Sequence, residues 1–150
     1  MSELTVEEVI NLLELEPLPE EGGMFRQTFK DTHSTAIYYL LAAGDFSALH
    51  LLTGVEVYHW YAGSPLELLQ LHPDGTSDTV VLGPDLRAGQ RPQHAAHAGV
   101  WQGSSTPGPW VLVGTTMAPS FEWDGFTLGD RATLIAAYPD RAAEITALTR

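Results

Sequence analysis

The stretch Gly44-Asp45-Phe46-Ser47-Ala48-Leu49-His50-Leu51-Leu52-Thr53-Gly54-Val55-Glu56-Val57-Tyr58-His59-Trp60-Tyr61-Ala62-Gly63 decides how the chain is read. β-Branched, aromatic and other apolar residues dominate on both sides of Thr53-Gly54, so it reads as two short strands joined by a turn. The stretch sets two of the six histidines and a glutamate in apolar surroundings. In a strand, successive side chains take opposite faces. His50 therefore shares a face with Ala48 and Leu52, and Glu56 shares one with Tyr58 and Trp60. If both faces point inward, His50 and Glu56 meet near the turn inside an aromatic pocket. Val57, His59 and Tyr61 take the other face. His59 is thereby turned from Glu56 unless a bulge turns it back, and it is available to a subunit interface.

On the N-terminal side, Thr5 to Leu15 predicts a helix. Thr5-x-x-Glu8 fits a capping box, and Val6, Val9, Ile10 and Leu13 recur at helical spacing. Pro17 and Pro19 end it, and Glu20-Glu21-Gly22-Gly23 reads as a sharp reversal. Met24 to Lys30 and Ser34 to Ala42 then read as strands. On the C-terminal side, strands are expected at Leu66 to His72, Ser77 to Leu82, Gln93 to Ala96, Val100 to Ser104 and Trp110 to Met117. Turn signals recur about every 8–12 residues, which argues for an all-β sandwich or barrel. Asp130 can cap a short helix through Ala137, Pro139 breaks it, and Asp140 to Leu148 reads as a last helix.

The totals narrow the classes. A chain of 150 residues is most simply one domain, here 1–150, able to bury a core of its own. It has no cysteine, which excludes disulfides and thiolate metal sites. Nineteen acids against seven bases give a net charge of −12, so nucleic acid and anionic membrane are not expected partners. The first residues lack the basic and apolar runs of a secretory signal, and no stretch reaches the roughly 20 apolar residues of a membrane span. A cytoplasmic location is the expectation.

The opening stretch also carries a motif. Gly44, His50, Glu56 and Gly63 keep the spacing of the first motif of the cupin superfamily, G-x5-H-x-H-x3,4-E-x6-G, with Leu52 in place of the second histidine. In the weaker second motif, Gly99 holds the inner glycine, His97 stands for proline and Gln102 for the metal-binding histidine. More closely, the chain resembles the cupin_5 (DUF985) family. The resemblance rests on Gly22-Gly23-Met24-Phe25-Arg26, Ser34 to Leu40, Phe46 to His50, Glu56 to Gly63, Leu82 to Leu86, Gly89 to Pro92 and Ala98 to Gln102. It implies a mainly β fold, the double-stranded β-helix or cupin jelly roll, with an N-terminal helix and C-terminal helices. It also implies a homodimer.

Typical cupins hold a divalent metal with three histidines and a glutamate. Here only His50, Glu56 and the weak amide donor Gln102 occupy those places, so no metal is assigned. Without one, His50 is a candidate acid or base, oriented by Glu56, with Tyr58 or Tyr38 as its complement. That arrangement resembles the metal-independent sugar-nucleotide epimerases of the same fold. The expected catalytic set is His50, Glu56 and Tyr58. The expected substrate-binding set is Arg26 for an anionic group, with Tyr38, Trp60, Trp101 and Gln102. Three functions stand open. They are a metal-independent isomerase or epimerase on a carbohydrate-like molecule, a non-catalytic small-molecule-binding protein, and a metal-dependent oxygenase or decarboxylase. The missing motif histidines count against the last.

Overall fold

Two antiparallel sheets face each other around one interior. The computed structural model describes residues 3–150. Helix α1, Val6–Leu12, starts at Thr5, whose hydroxyl accepts from the Glu8 amide while the Glu8 carboxylate accepts from the Thr5 amide. This capping box satisfies two otherwise orphaned amides. The strands are β1 (Glu16–Pro17), β2 (Met24–Lys30), β3 (Thr35–Ala42), β4 (Ser47–Leu52), β5 (Glu56–Gly63), β6 (Leu66–Leu71) and β7 (Ser77–Leu82). They continue with β8 (Gln93–Ala96), β9 (Trp101–Ser105), β10 (Trp110–Met117) and β11 (Phe126–Leu128). Helices α2 (Arg131–Ala137) and α3 (Ala142–Ala147) close the chain.

The first sheet runs β1-β2-β3-β10-β5-β8 and the second β11-β4-β9-β6-β7. The two strands of the opening stretch are therefore not a hairpin. β4 pairs with β9 and β11, β5 with β10 and β8. The turn at Thr53-Gly54 carries the chain across from one sheet to the other. That crossing is why His50 and Glu56 approach from opposite walls of the interior.

Alternation along the strands sorts the side chains into three layers. The interior holds Tyr39, Leu41, Tyr58, Leu66, Leu68 and Val113. Behind the second sheet, Leu49, Leu69 and Leu71 pack against Leu134, Ile145 and Leu148 of the C-terminal region. Behind the first sheet, Leu40 packs against Val9 and Leu15 at the N-terminus. Each helical segment covers a sheet face that would otherwise expose leucines, at about 1.5–3 kcal/mol for each one buried.

Two helices are shorter than the sequence predicts. α1 ends at Leu12, and Glu14 takes a φ of +54° as the chain turns into β1. The last helix is split, with a 3-10 turn at Pro139–Arg141 ahead of α3. The short strands β1 and β11 have too few residues to show a periodicity.

Candidate functional site

A cavity of about 200 Å³ opens at one end of the interior. Its walls come from alternate residues of several strands: Phe25 and Gln27 of β2, Thr35 and Ile37 of β3, Glu56 of β5, Thr115 and Met117 of β10. Leu18 and Glu21 from the loop between β1 and β2, and Leu52 at the end of β4, complete the inner part. Lys30, Phe121, Glu122 and Trp123 stand at its rim. There the Lys30 ammonium lies 3.2 Å from the Glu122 carboxylate and donates to the Phe121 carbonyl at 2.9 Å. Phe121, Trp123 and Phe126 contact one another edge to face, with ring centroids 5.0–6.5 Å apart.

Glu21 reaches this cavity because the chain reverses tightly behind it. Gly22 and Gly23 take φ of +94° and +77°, a region that costs residues with a Cβ. The Gly22 carbonyl accepts from the Tyr39 hydroxyl at 2.6 Å, and a Cβ on Gly23 would sit 2.5 Å from that same hydroxyl. The Arg150 guanidinium donates to the Glu21 carbonyl at 3.0 Å and lies 4.2 Å over the Phe46 ring. The Glu21 carboxylate then accepts from the Ser47 hydroxyl at 2.8 Å.

His50 is 1% exposed and stands behind this carboxylate, not on the cavity wall. Its ring stacks on Phe126, with centroids 5.1 Å apart. Its Nδ1 lies 2.7 Å from the Ala48 carbonyl. A carbonyl only accepts, so Nδ1 carries the hydrogen. Nε2 is left facing Glu21 at 3.6 Å, an ion pair when the ring is protonated.

Glu56 lies on the wall itself and is 9% exposed. Burial, and next the Glu21 carboxylate, push its pKa from 4.5 to about 7. His50 and the hydroxyls of Thr115 and Tyr58 oppose that rise. The Tyr58 proton is given to the Gln102 amide oxygen. Burial first, then Glu56, hold the Tyr58 phenol well above its ordinary value. The cavity thus presents a carboxyl that exchanges its proton near neutrality beside one that pairs with a histidine.

The model of the Cupin superfamily (DUF985) family, Cupin_5, matches residues 7–129. This chain belongs to the Cupin_5 family. A protein from Shewanella oneidensis solved by crystallography is 33% identical to this Cupin_5 chain. The match covers 99% of both chains with a TM-score of 0.92. A hypothetical protein from Leishmania major is 26% identical, over 97% of this chain and 99% of that one, with a TM-score of 0.90. Bacillus subtilis oxalate decarboxylase is 13% identical over 91% of this chain and 38% of that one, at a TM-score of 0.62. At that identity the likeness speaks for the fold alone. No curated protein matches the chain.

The donor set of this Cupin_5 protein does not fit the cupin metal. Leu52 lines the cavity where a histidine would ligate. The Gln102 amide oxygen is taken by Tyr58, and the His50 Nε2 faces the Glu21 carboxylate at 3.6 Å. Among the described residues, no group of three or more His, Cys, Asp or Glu side chains could hold an ion.

Several residues expected at the site lie elsewhere, and strand parity explains Arg26 and Tyr38. Arg26 faces outward beside the inward Phe25 and Gln27, and it pairs with the Glu14 carboxylate. Tyr38 faces α1 and meets Tyr61 edge to face, while its neighbour Tyr39 points inward. Trp101 packs under the C-terminal helices. Trp60 packs on the interior core and donates from its indole to the Ser64 carbonyl at 2.9 Å, without lining the cavity. Gln102 and Tyr58 are buried behind the wall. His59 faces outward, 3.0 Å from the Thr116 hydroxyl. Glu21, Lys30, Thr115 and the rim aromatics escaped the sequence reading. For Glu21 a signal existed: an acid placed directly before Gly22-Gly23 is aimed by their turn.

Proposed function

We propose that this protein binds a small molecule in the cavity and moves a proton on it without a metal, as an isomerase or epimerase does. The observation that carries this reading is Glu56, a carboxyl on the cavity wall with its pKa near 7. An acid or base works best when its pKa lies near the operating pH. Glu56 gives or takes the proton. Glu21 keeps it titrating in that range, and His50 acts through Glu21 as a positioning residue.

Size bears on the substrate. Drug-sized ligands fill roughly 300–1,000 Å³, so about 200 Å³ suits a single ring with a few substituents and not a whole sugar nucleotide. A carbohydrate-like ring finds acceptors in Glu21 and Glu56, further polar contacts in Gln27, Thr35 and Thr115, and flat apolar faces in Phe25 and Phe121.

The test is proton exchange. Monosaccharides, amino sugars and small hydroxy acids are incubated with the protein in D2O and followed by NMR. The reading expects deuterium at one carbon of a ligand, and Glu56→Gln slowing it by about a hundredfold or more. Equal exchange in the variant would remove Glu56 from the role. A non-catalytic binding protein is the second reading, and one observation favours it: the Tyr58 hydroxyl, the complementary acid expected from the sequence, is committed to Gln102. Saturable binding with no exchange across the panel would decide for it.

A further inference from the structure

The charge around the cavity is one-sided. Three carboxylates line it, those of Glu21, Glu56 and Glu122. Lys30 is the one cationic side chain among the lining residues, and Glu122 already neutralises it at the rim. Arg26, which the sequence suggested for an anionic substrate group, turns to the outer face and pairs with Glu14. Among the described residues, no lysine or arginine lines the inner cavity to answer an anion. The net charge of −12 adds a field that draws cations and repels anions.

A second observation points at a ligand. Glu56 is nine-tenths buried and lines the cavity, with the Thr115 and Tyr58 hydroxyls beside its carboxylate, and among the described residues no lysine or arginine pairs with it. Buried carboxylates are ordinarily bonded or paired. The nearby His50 ring faces Glu21, with its Nε2 3.6 Å from that carboxylate. The aromatic rings of Phe25, Phe121 and Trp123 share the cavity, and their faces also favour a cation.

We propose that the cavity takes its small molecule by a protonated amino group, held by the Glu21 and Glu56 carboxylates, with the ligand's apolar body against Phe25, Phe121 and Trp123. The proposal rests on the reading of this cavity as the binding site and adds the ligand's chemical class. It also bears on the proton transfer: a bound ammonium holds Glu56 ionised and so sets it up as a base. The titratable groups that face Glu56 are Glu21 from the β1–β2 loop, His50 from β4, Tyr39 from β3 and Tyr58 from its own strand.

Benzylamine, benzyl alcohol and benzoate differ mainly in charge and fit one small cavity, so they separate the outcomes by calorimetry on the full chain. Benzylamine is expected to bind at least tenfold more tightly than benzyl alcohol at pH 8, and benzoate most weakly. Glu56→Gln is expected to remove the preference for the amine over the alcohol. The wild-type protein gives an independent reading that needs no variant. Its affinity for benzylamine should fall about tenfold from pH 8 to pH 6 as Glu56 takes up its proton, while that for benzyl alcohol holds. Benzyl alcohol or benzoate binding as tightly as benzylamine overturns the amine assignment and leaves the cavity as a binding site. Failure of all three to bind saturably overturns the cavity reading, and the amine assignment with it.

Discussion

His50 brings its Nε2 to 3.6 Å from the Glu21 carboxylate, while its Nδ1 is committed to the Ala48 carbonyl at 2.7 Å. The motif histidine therefore acts on a second residue and not on the cavity. Glu21 comes from the loop between β1 and β2, and His50 from β4 in the opposite sheet. The contact ties that loop to the far wall of the interior.

Removing the imidazole should accordingly cost stability. His50→Ala loses the stacking on Phe126, leaves the Ala48 carbonyl without its donor, and strands Glu21. A buried group lost with its partners left behind costs about 2–4 kcal/mol. Urea unfolding of the wild type and the variant at neutral pH measures this. A loss below about 1 kcal/mol would show that the contact does not hold the loop.

The raised pKa of Glu56 fixes the sign of a pH effect. The folded form keeps its proton up to about pH 7, whereas an ordinary glutamate ionises near 4.5. Between those values the native state binds more protons than the unfolded chain, so stability falls as pH rises. The contribution is fully present below about pH 4.5 and is lost as pH passes 7, by on the order of 3 kcal/mol. Glu56→Gln carries a neutral amide throughout. Its stability should therefore lack this decline and exceed that of the wild type at pH 8. Parallel pH profiles for the two proteins would contradict the assignment.

Gly23→Ala is expected to be severe. The added Cβ meets the Tyr39 hydroxyl at 2.5 Å, and the φ of +77° is strained for alanine. Strain of this backbone kind costs about 1–3 kcal/mol, before any clash. The same substitution at Gly75, where φ is +88° and a Cβ meets nothing within 4 Å, carries only the backbone cost. Thermal melts should rank Gly23→Ala well below Gly75→Ala. Equal melts would mean that the close approach to Tyr39 does not constrain the loop.

Tyr58→Phe removes the donor to the buried Gln102 amide oxygen. An unsatisfied buried acceptor costs about 1–3 kcal/mol. Gln102→Leu in the Tyr58→Phe background removes the orphan and should recover part of the loss. A double mutant no better than Tyr58→Phe alone would show that the pairing is not the source of the cost.

Much of the fold could be read from alternation and turn chemistry. The strands β2 to β10, the capping box of α1, the Asp130 cap of α2 and the breaks of the helices follow local rules, and the spacing of Gly44, His50, Glu56 and Gly63 points to the cupin fold, whereas the crossing between sheets at Thr53-Gly54 shows only in the structure. What local rules could not give was the parity of isolated polar residues. Arg26 and Tyr38 sit one position from the inward residues Gln27 and Tyr39, and a one-residue difference exchanges the faces. Glu21 was hidden for another reason. It lies in a turn, where no periodicity says which way a side chain points, and only the contacts of Gly22 and Gly23 with Tyr39 and Arg150 aim it. Phe121 and Trp123 likewise belong to an irregular segment that only the tertiary fold brings over the cavity.

The central claim is that Glu56 is poised to exchange a proton at neutral pH. A ¹³C NMR titration of its side-chain carboxyl tests this most directly, in the wild type and in Glu21→Gln. The account predicts a wild-type midpoint near 7, moving downward in the variant as the repelling charge is removed. A wild-type midpoint near the ordinary glutamate value, unmoved by Glu21→Gln, would contradict it.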